Sequence, residues 1–136
     1  MSALKSIQTA IYALLSGDIA LMALTTVFND VPQGAAYPHV QIASGTERAW
    51  HTMGGMTAGI GWNDTITLHI WSRYQGDLQA LAILERLVAL LNFTPIVVSG
   101  YPTVIAELDN ARVLVEDVDK VETRHVPAIF RLRVHT

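Results

Sequence analysis

Five histidines, His39, His51, His69, His125 and His135, are the side chains best suited to chemistry near neutral pH. A zinc or general-base site needs such residues at short fixed spacing, as in His-x-x-x-His or His-Glu-x-x-His, so that the rings converge. No such spacing occurs, and the histidines read as surface or locally hydrogen-bonded groups. The run His51 to Gly61, HTMGGMTAGIG, carries four glycines in eleven residues. It lacks the Lys-Ser/Thr end of a phosphate loop and joins two strand-like runs instead of opening a helix. Ser16, Ser44 and Ser99 each precede a glycine, but no Gly-x-Ser-x-Gly holds a serine on a strained elbow. Glu116 and Asp117 are neighbours on an extended run, so they point to opposite faces and do not converge on a cation. With Asp119 they read as a solvated acidic turn. The chain has no cysteine, which excludes thiol catalysis, disulfides and cysteine-ligated metals. The expectation is a protein that is not an enzyme and holds neither cofactor nor metal.

Trp50 and Trp62 flank the glycine run and Trp71 follows it. Two readings stand side by side. The first pair caps the base of a hairpin by packing across strands, or the three form an aromatic contact surface of the kind enriched at interface hot spots.

The elements that would hold these residues follow from periodicity. Leu4, Ile7, Ile11, Leu14 and Leu15 share a helical face, predicting a helix over 2–16 with Ser2 as N-cap and Gly17 as its stop. Asp18 caps a short helical turn through Leu24. In DVPQGAAYPHVQI (30–42), Pro32 and Pro38 push Val31 and Tyr37 towards extended geometry, and Gln33-Gly34 suits a turn. This is a rigid crossover from the helical layer to a sheet edge. A strand is predicted from His39 to Trp50, a mobile hairpin loop at 51–61, and a strand from Trp62 to Tyr74, where Ile66, Leu68 and Ile70 alternate with polar residues. Gly76-Asp77 ends that strand and caps a helix over 78–92. Its expected core stripe is Leu78, Leu81, Leu84, Leu87, Val88 and Leu91, with Pro95 as its stop. Strands at about Val104–Val118, kinked at Asp109-Asn110, and His125–His135 close the chain through a turn at Asp119-Lys120. The order predicts an α+β domain: one antiparallel sheet of about four strands, two main helices on one face, and a long hairpin loop.

A chain of 136 residues fits a single domain spanning 1–136. Its net charge is −3 and its nine Lys and Arg are scattered, so no nucleic-acid footprint shows. Charged residues are only 15%, against roughly 25% in an average domain. Part of the surface is therefore apolar or weakly polar, a hint of assembly. The N-terminus shows no export signal and no run reaches membrane-span length, so a cytoplasmic, soluble protein is expected.

Taken in order, these segments resemble the tail completion, or tail terminator, proteins of long-tailed bacteriophages and gene transfer particles. The resemblance rests on three stretches. They are the helix ending ALLSGDIALMAL with DVPQGAAYPHVQI after it, ITLHIWSR before a capped helix, and an acidic turn before TRHVPAIFRLRV. The Gly- and Met-rich middle loop departs most from the pattern. The resemblance implies a structural protein, a hexameric ring on the head-proximal end of a tail tube in a siphophage-like virion. The ring would stop tube polymerisation and offer a head-joining surface. Implied partners are other copies of the chain, the tail tube protein and the head–tail connector or stopper. No membrane or sequence-specific nucleic acid is implied, although DNA would pass through the lumen. The implied location is the tail–neck junction of the virion, after assembly in the bacterial cytoplasm. Candidate tube- or ring-contact residues are Trp50, His51, Met53, Met56, Ile60 and Trp62. Candidate inter-subunit or partner residues are Arg48, Trp71, Arg73, Arg131 and Arg133. A connector protein of the neck and a small α+β ligand-binding domain are the alternatives.

Overall fold

Val126, Ala128, Phe130, Leu132 and Val134 recur with a period of two, which gives a strand one dry face. In the computed structural model, which describes residues 3–43, 45–51 and 60–135, these five are buried on one side of the strand β8 (Val121–His135). The strand β4 (Ile60–Ser72) lies antiparallel beside it, from Gly61 opposite His135 to Ser72 opposite Arg124. Ile66, Leu68 and Ile70 face the same way as the β8 set and are fully buried. Each such side chain contributes roughly 1.5–3 kcal/mol by leaving water.

Shorter strands flank this ladder in pairs. Beside β4 lie β2 (His39–Ile42) at one end and β3 (Thr46–His51) at the other. Beside β8 lie β6 (Tyr101–Ala111) and β7 (Leu114–Val118). The strand β1 (Thr26–Phe28) adds to β2 and β5 (Pro95–Val98) adds to β6. Among the described residues the sheet therefore has eight strands in the order β1-β2-β4-β8-β6-β5, with β3 and β7 to the side. The expected four antiparallel strands are too few, and β1 runs parallel to β2. Two expected strands are each divided. His39–Trp50 breaks into β2 and β3, and Val104–Val118 breaks into β6 and β7. Pro95, expected only to stop a helix, opens β5. A proline at a strand start loses no ladder bond there.

Two interruptions fall at one level of the sheet. From Ile42 to Thr46 is four steps, while their partners Leu68 to Thr65 span three, so one extra residue is inserted, a bulge. On the far side β6 shifts register between Leu108 and Asn110, opposite Phe130 and Ile129. Both bulges flank the Ile66–Phe130 pair. Bulges bend a strand and increase its twist, and here they act on both flanks of the central ladder together. The sheet curls far enough that the helix α1 (Leu4–Ser16) touches both outermost strands, β1 and β5.

On the concave side, α1 buries Ile7, Ile11 and Leu15, and α3 (Leu78–Leu91) buries Ala80, Ile83, Leu87 and Leu91. This corrects the expected stripe on the second helix. Leu78 is 77% exposed and Leu81 is 41% exposed, because the helix is rolled to place small Ala80 and Ile83 against the sheet. The N-cap of α1 is Ala3, not Ser2, and its amide donates to Glu47 Oε1 at 2.7 Å. Asp18 caps α2 (Ile19–Met22) as expected, accepting from the Leu21 amide at 2.8 Å. The same carboxylate takes both arms of Arg86, at 2.8 and 2.9 Å, and so ties α2 to α3. Asp77 is the N-cap of α3 by position, but its side chain binds Arg124 and makes no cap bond. The β7–β8 turn is at Asp119-Lys120, both at positive φ as a two-residue hairpin turn requires.

Candidate functional site

The convex face of the sheet carries the odd-numbered residues of β4 and β8, and the bend divides it into two fields. In the first, the register sets His39 beside Trp71 and Trp71 beside His125. The Trp71 and His125 rings stack with centroids 3.9 Å apart and planes 4° from parallel. His69 Nδ1 lies 2.7 Å from His125 Nε2, and His125 Nδ1 lies 2.9 Å from Glu116 Oε2. The result is a carboxylate–imidazole–imidazole chain. Burial, then the neighbouring His125, push the His69 pKa down, with Glu116 opposing. Burial also lowers that of His39, whose Nδ1 sits 3.1 Å from the Ala36 carbonyl. Arg73, just beyond β4, places its guanidinium 4.1 Å over the Tyr37 ring and donates to the Val118 carbonyl at 3.1 Å. Tyr37, His39, Trp71 and Arg73 line an open hollow of about 580 Å³, floored by His39 and Trp71 and walled by the 31–37 crossover.

The second field holds the arginines. In one cross-strand row Arg48, Asn63, Arg133 and Ile105 are successive neighbours, and in the next Thr46, Thr65, Arg131 and Glu107. Arg48, Arg131 and Arg133 are exposed and line a hollow of about 850 Å³. Arg131 reaches Asp109 at 3.4 Å and Glu107 at 3.7 Å. Arg48 and Arg133 have no ion-pair partner among the described residues.

The five candidate partner-surface residues thus share one face but fall into two groups, Trp71 with Arg73 and Arg48 with Arg131 and Arg133. Of the loop candidates, Met53 and Met56 lie outside the described residues. His51 and Ile60 are cross-strand partners that carry the β3–β4 ladder to its end. Trp50 is opposite Gly61 and Trp62 opposite Ala49, so the two tryptophans are not paired across the hairpin. Trp62 packs half-buried against the core, with Nε1 buried and lacking a partner among the described residues. In the sequence His69, His125 and Glu116 read as separate surface or solvated groups, and Tyr37 reads only as part of the crossover. Period-two alternation put His69 and Trp71 on one face, but only cross-strand register joins them to His125.

One further charged group sits on the concave side. Asp64 is 1% exposed, and neither carboxylate oxygen has a hydrogen-bond partner among the described residues. Burial, and then the charge of cross-strand Glu47, raise its pKa to about 7. No group of three or more His, Cys, Asp or Glu among the described residues is placed to hold a metal ion, and no described helix is long and apolar enough to cross a membrane. The site offers stacking, hydrogen bonding and ion pairing over broad open hollows.

A family model for tail completion protein gp17 matches residues 9–135. The chain belongs to this family. The expected resemblance is therefore correct, and it classes the chain as a structural tail protein of a phage or gene transfer virion. Among solved structures, a chain from "Virion of native gene transfer agent (GTA) particle" superposes with a TM-score of 0.82 at 22% identity, covering 99% of this chain and 98% of that one. At that identity the likeness shows a shared fold. No curated protein matches. As a tail completion family member the chain comes from a class of virion components and not from an enzyme family.

Proposed function

We propose that this tail completion protein assembles as a ring, six-membered by family resemblance, on the head-proximal end of a tail tube. There it stops tube polymerisation and presents a surface to the head–tail connector at the tail–neck junction. The observation that carries the reading is the family match across residues 9–135. The geometry is compatible with it. Ring subunits meet head to tail, so each needs two unlike patches, and the two fields of the convex face differ in character. The β3–β4 hairpin end, with Trp50, His51, Met53, Met56, Ile60 and Trp62, is the proposed reach towards the tube. Replacing 52–59 with a short turn is expected to leave a folded protein that no longer caps tubes, and a shortened protein that still caps removes the hairpin from the contact.

The test of the whole reading is tail length by electron microscopy after deleting the gene from its parent particle. Overlong, variable, headless tubes are expected. Tails of normal length that fail to join heads would move the role to a connector. Intact particles would overturn the assembly reading.

A further inference from the structure

The tip of the β7–β8 hairpin is unusual as an isolated surface. Asp117 lies directly opposite Glu122 in the ladder, both exposed. Like charges in that position destabilise a strand pair. Asp119 adds to the same tip, while Glu116 on the other face is held by His125, Lys120 sits in the turn and Arg124 is engaged by Glu122 and Asp77. Val115 is 61% exposed and Val121 is 41% exposed, so the acidic tip is framed by apolar side chains. At the far end of β8 the situation is inverse. Arg48 and Arg133 flank Asn63 with no acidic partner among the described residues, and Ile105, 43% exposed, lies beside them. Along β8 from Val121 to Arg131 is about 35 Å, so a subunit's own tip does not reach its own hollow.

We propose that the acidic β7–β8 tip of one subunit seats in the arginine-lined hollow of the next. Asp117 and Glu122 meet Arg48 and Arg133, and Val115, on their face of the hairpin, meets Ile105. The occupant is a second copy of this chain. Charge sign and apolar edge match at the unpaired Arg48 and Arg133, and repetition of one such contact is what turns subunits head to tail. This contact rests on the ring reading above and names its two faces.

Two charge-reversed proteins test it, Arg48→Glu with Arg133→Glu, and Asp117→Arg with Glu122→Arg. Each is mixed with purified tail tubes, and rings are counted by negative-stain microscopy beside wild type. Each alone is expected to lose ring yield by more than about tenfold, since juxtaposed like charges are strongly unfavourable. An equal mixture of the two restores rings, because opposite patches then alternate around an even-numbered ring. Rings from either variant alone at wild-type yield overturn the contact, as does a mixture that stays inactive while both proteins melt cooperatively. Normal rings from the arginine variant that no longer retain duplex DNA in the lumen assign those arginines to nucleic acid and overturn it too. Absence of rings from wild type on tubes instead marks failure of the ring reading. Should a reversal unfold the chain, Arg48→Gln with Arg133→Gln is the substitute, expected to lower ring yield several-fold at low salt, with the gap to wild type narrowing at high salt as the wild-type contact is screened too. Unchanged yield with that variant rejects the contact.

Discussion

Asp64 is a carboxyl placed where an ionised group finds little support. Its side chain is buried beside Glu47, whose Oε1 already accepts the Ala3 amide at the start of α1. Burial, and then the Glu47 charge beside it, favour the protonated form of Asp64. The folded pKa of about 7 lies above the ordinary 3.8. The folded state therefore binds the proton more tightly, and that stability is fully present below 3.8 and lost as pH rises through about 7. At about 1.4 kcal/mol per unit the difference is at most ~4 kcal/mol. Asp64→Asn is expected to raise the melting temperature at pH 8 and change it little at pH 4. An identical shift at both pH values would show that Asp64 does not titrate in this range. His69 acts with the opposite sign. Its lowered pKa makes the folded state the weaker proton binder, so its contribution is present above the usual histidine value of 6.5 and lost as pH falls below it. His69→Asn is expected to flatten the loss of stability between pH 6.5 and 5, read by thermal melts, and a slope equal to wild type would exclude that role.

Elements reveal how much the sequence could carry. The alternation in β4 and β8 was visible because each strand has one wet and one dry face, and the family motifs sit on those same runs. The kink expected at Asp109-Asn110 coincides with the β6 bulge between Leu108 and Asn110, but the division of the two long runs into β2 with β3 and β6 with β7 was not visible. A bulge is set by what lies across the ladder, and nothing in residues 39–50 alone says that Ile66 is where register slips. Gly45 marks the spot. A Cβ there would stand 2.2 Å from the Thr65 carbonyl oxygen, a backbone atom that cannot step aside. Gly45→Ala is expected to cost about 1–3 kcal/mol as overpacking and to loosen amide exchange in β3 more than in β8. If exchange protection in β3 is unchanged, the bulge tolerates a side chain. The stripe on α3 failed for a related reason. Leu78 and Leu81 have the right spacing, but the sheet's curl asks for small Ala80 at closest approach. The two arginine and aromatic fields also depend on register, so the sequence supplied the residues of the surface without their grouping.

At the scale of the whole molecule, the bend at the Ile66–Phe130 pair sets both the enclosed core and the angle between the two convex fields. Phe130 is 1% exposed and lies between the two bulges. If a ring needs each subunit to present its patches at a constant rotation, curvature held by this pair matters beyond stability. Removing the ring with Phe130→Ala costs about 3–5 kcal/mol in a filled core. Against a typical total of about 5–15 kcal/mol, the variant stays folded at low temperature but close to its limit. For a domain of 136 residues that loss lowers the midpoint by about 10–15 °C. Capping by Phe130→Ala is therefore expected to be temperature-sensitive, active in the cold and lost well below the wild-type midpoint. Phe130→Leu, which keeps more of the volume, should fall between the two. A variant that melts within a degree or two of wild type would mean the core at the bend is loosely filled. One that remains fully folded yet never caps would separate curvature from stability and assign the bend directly to assembly.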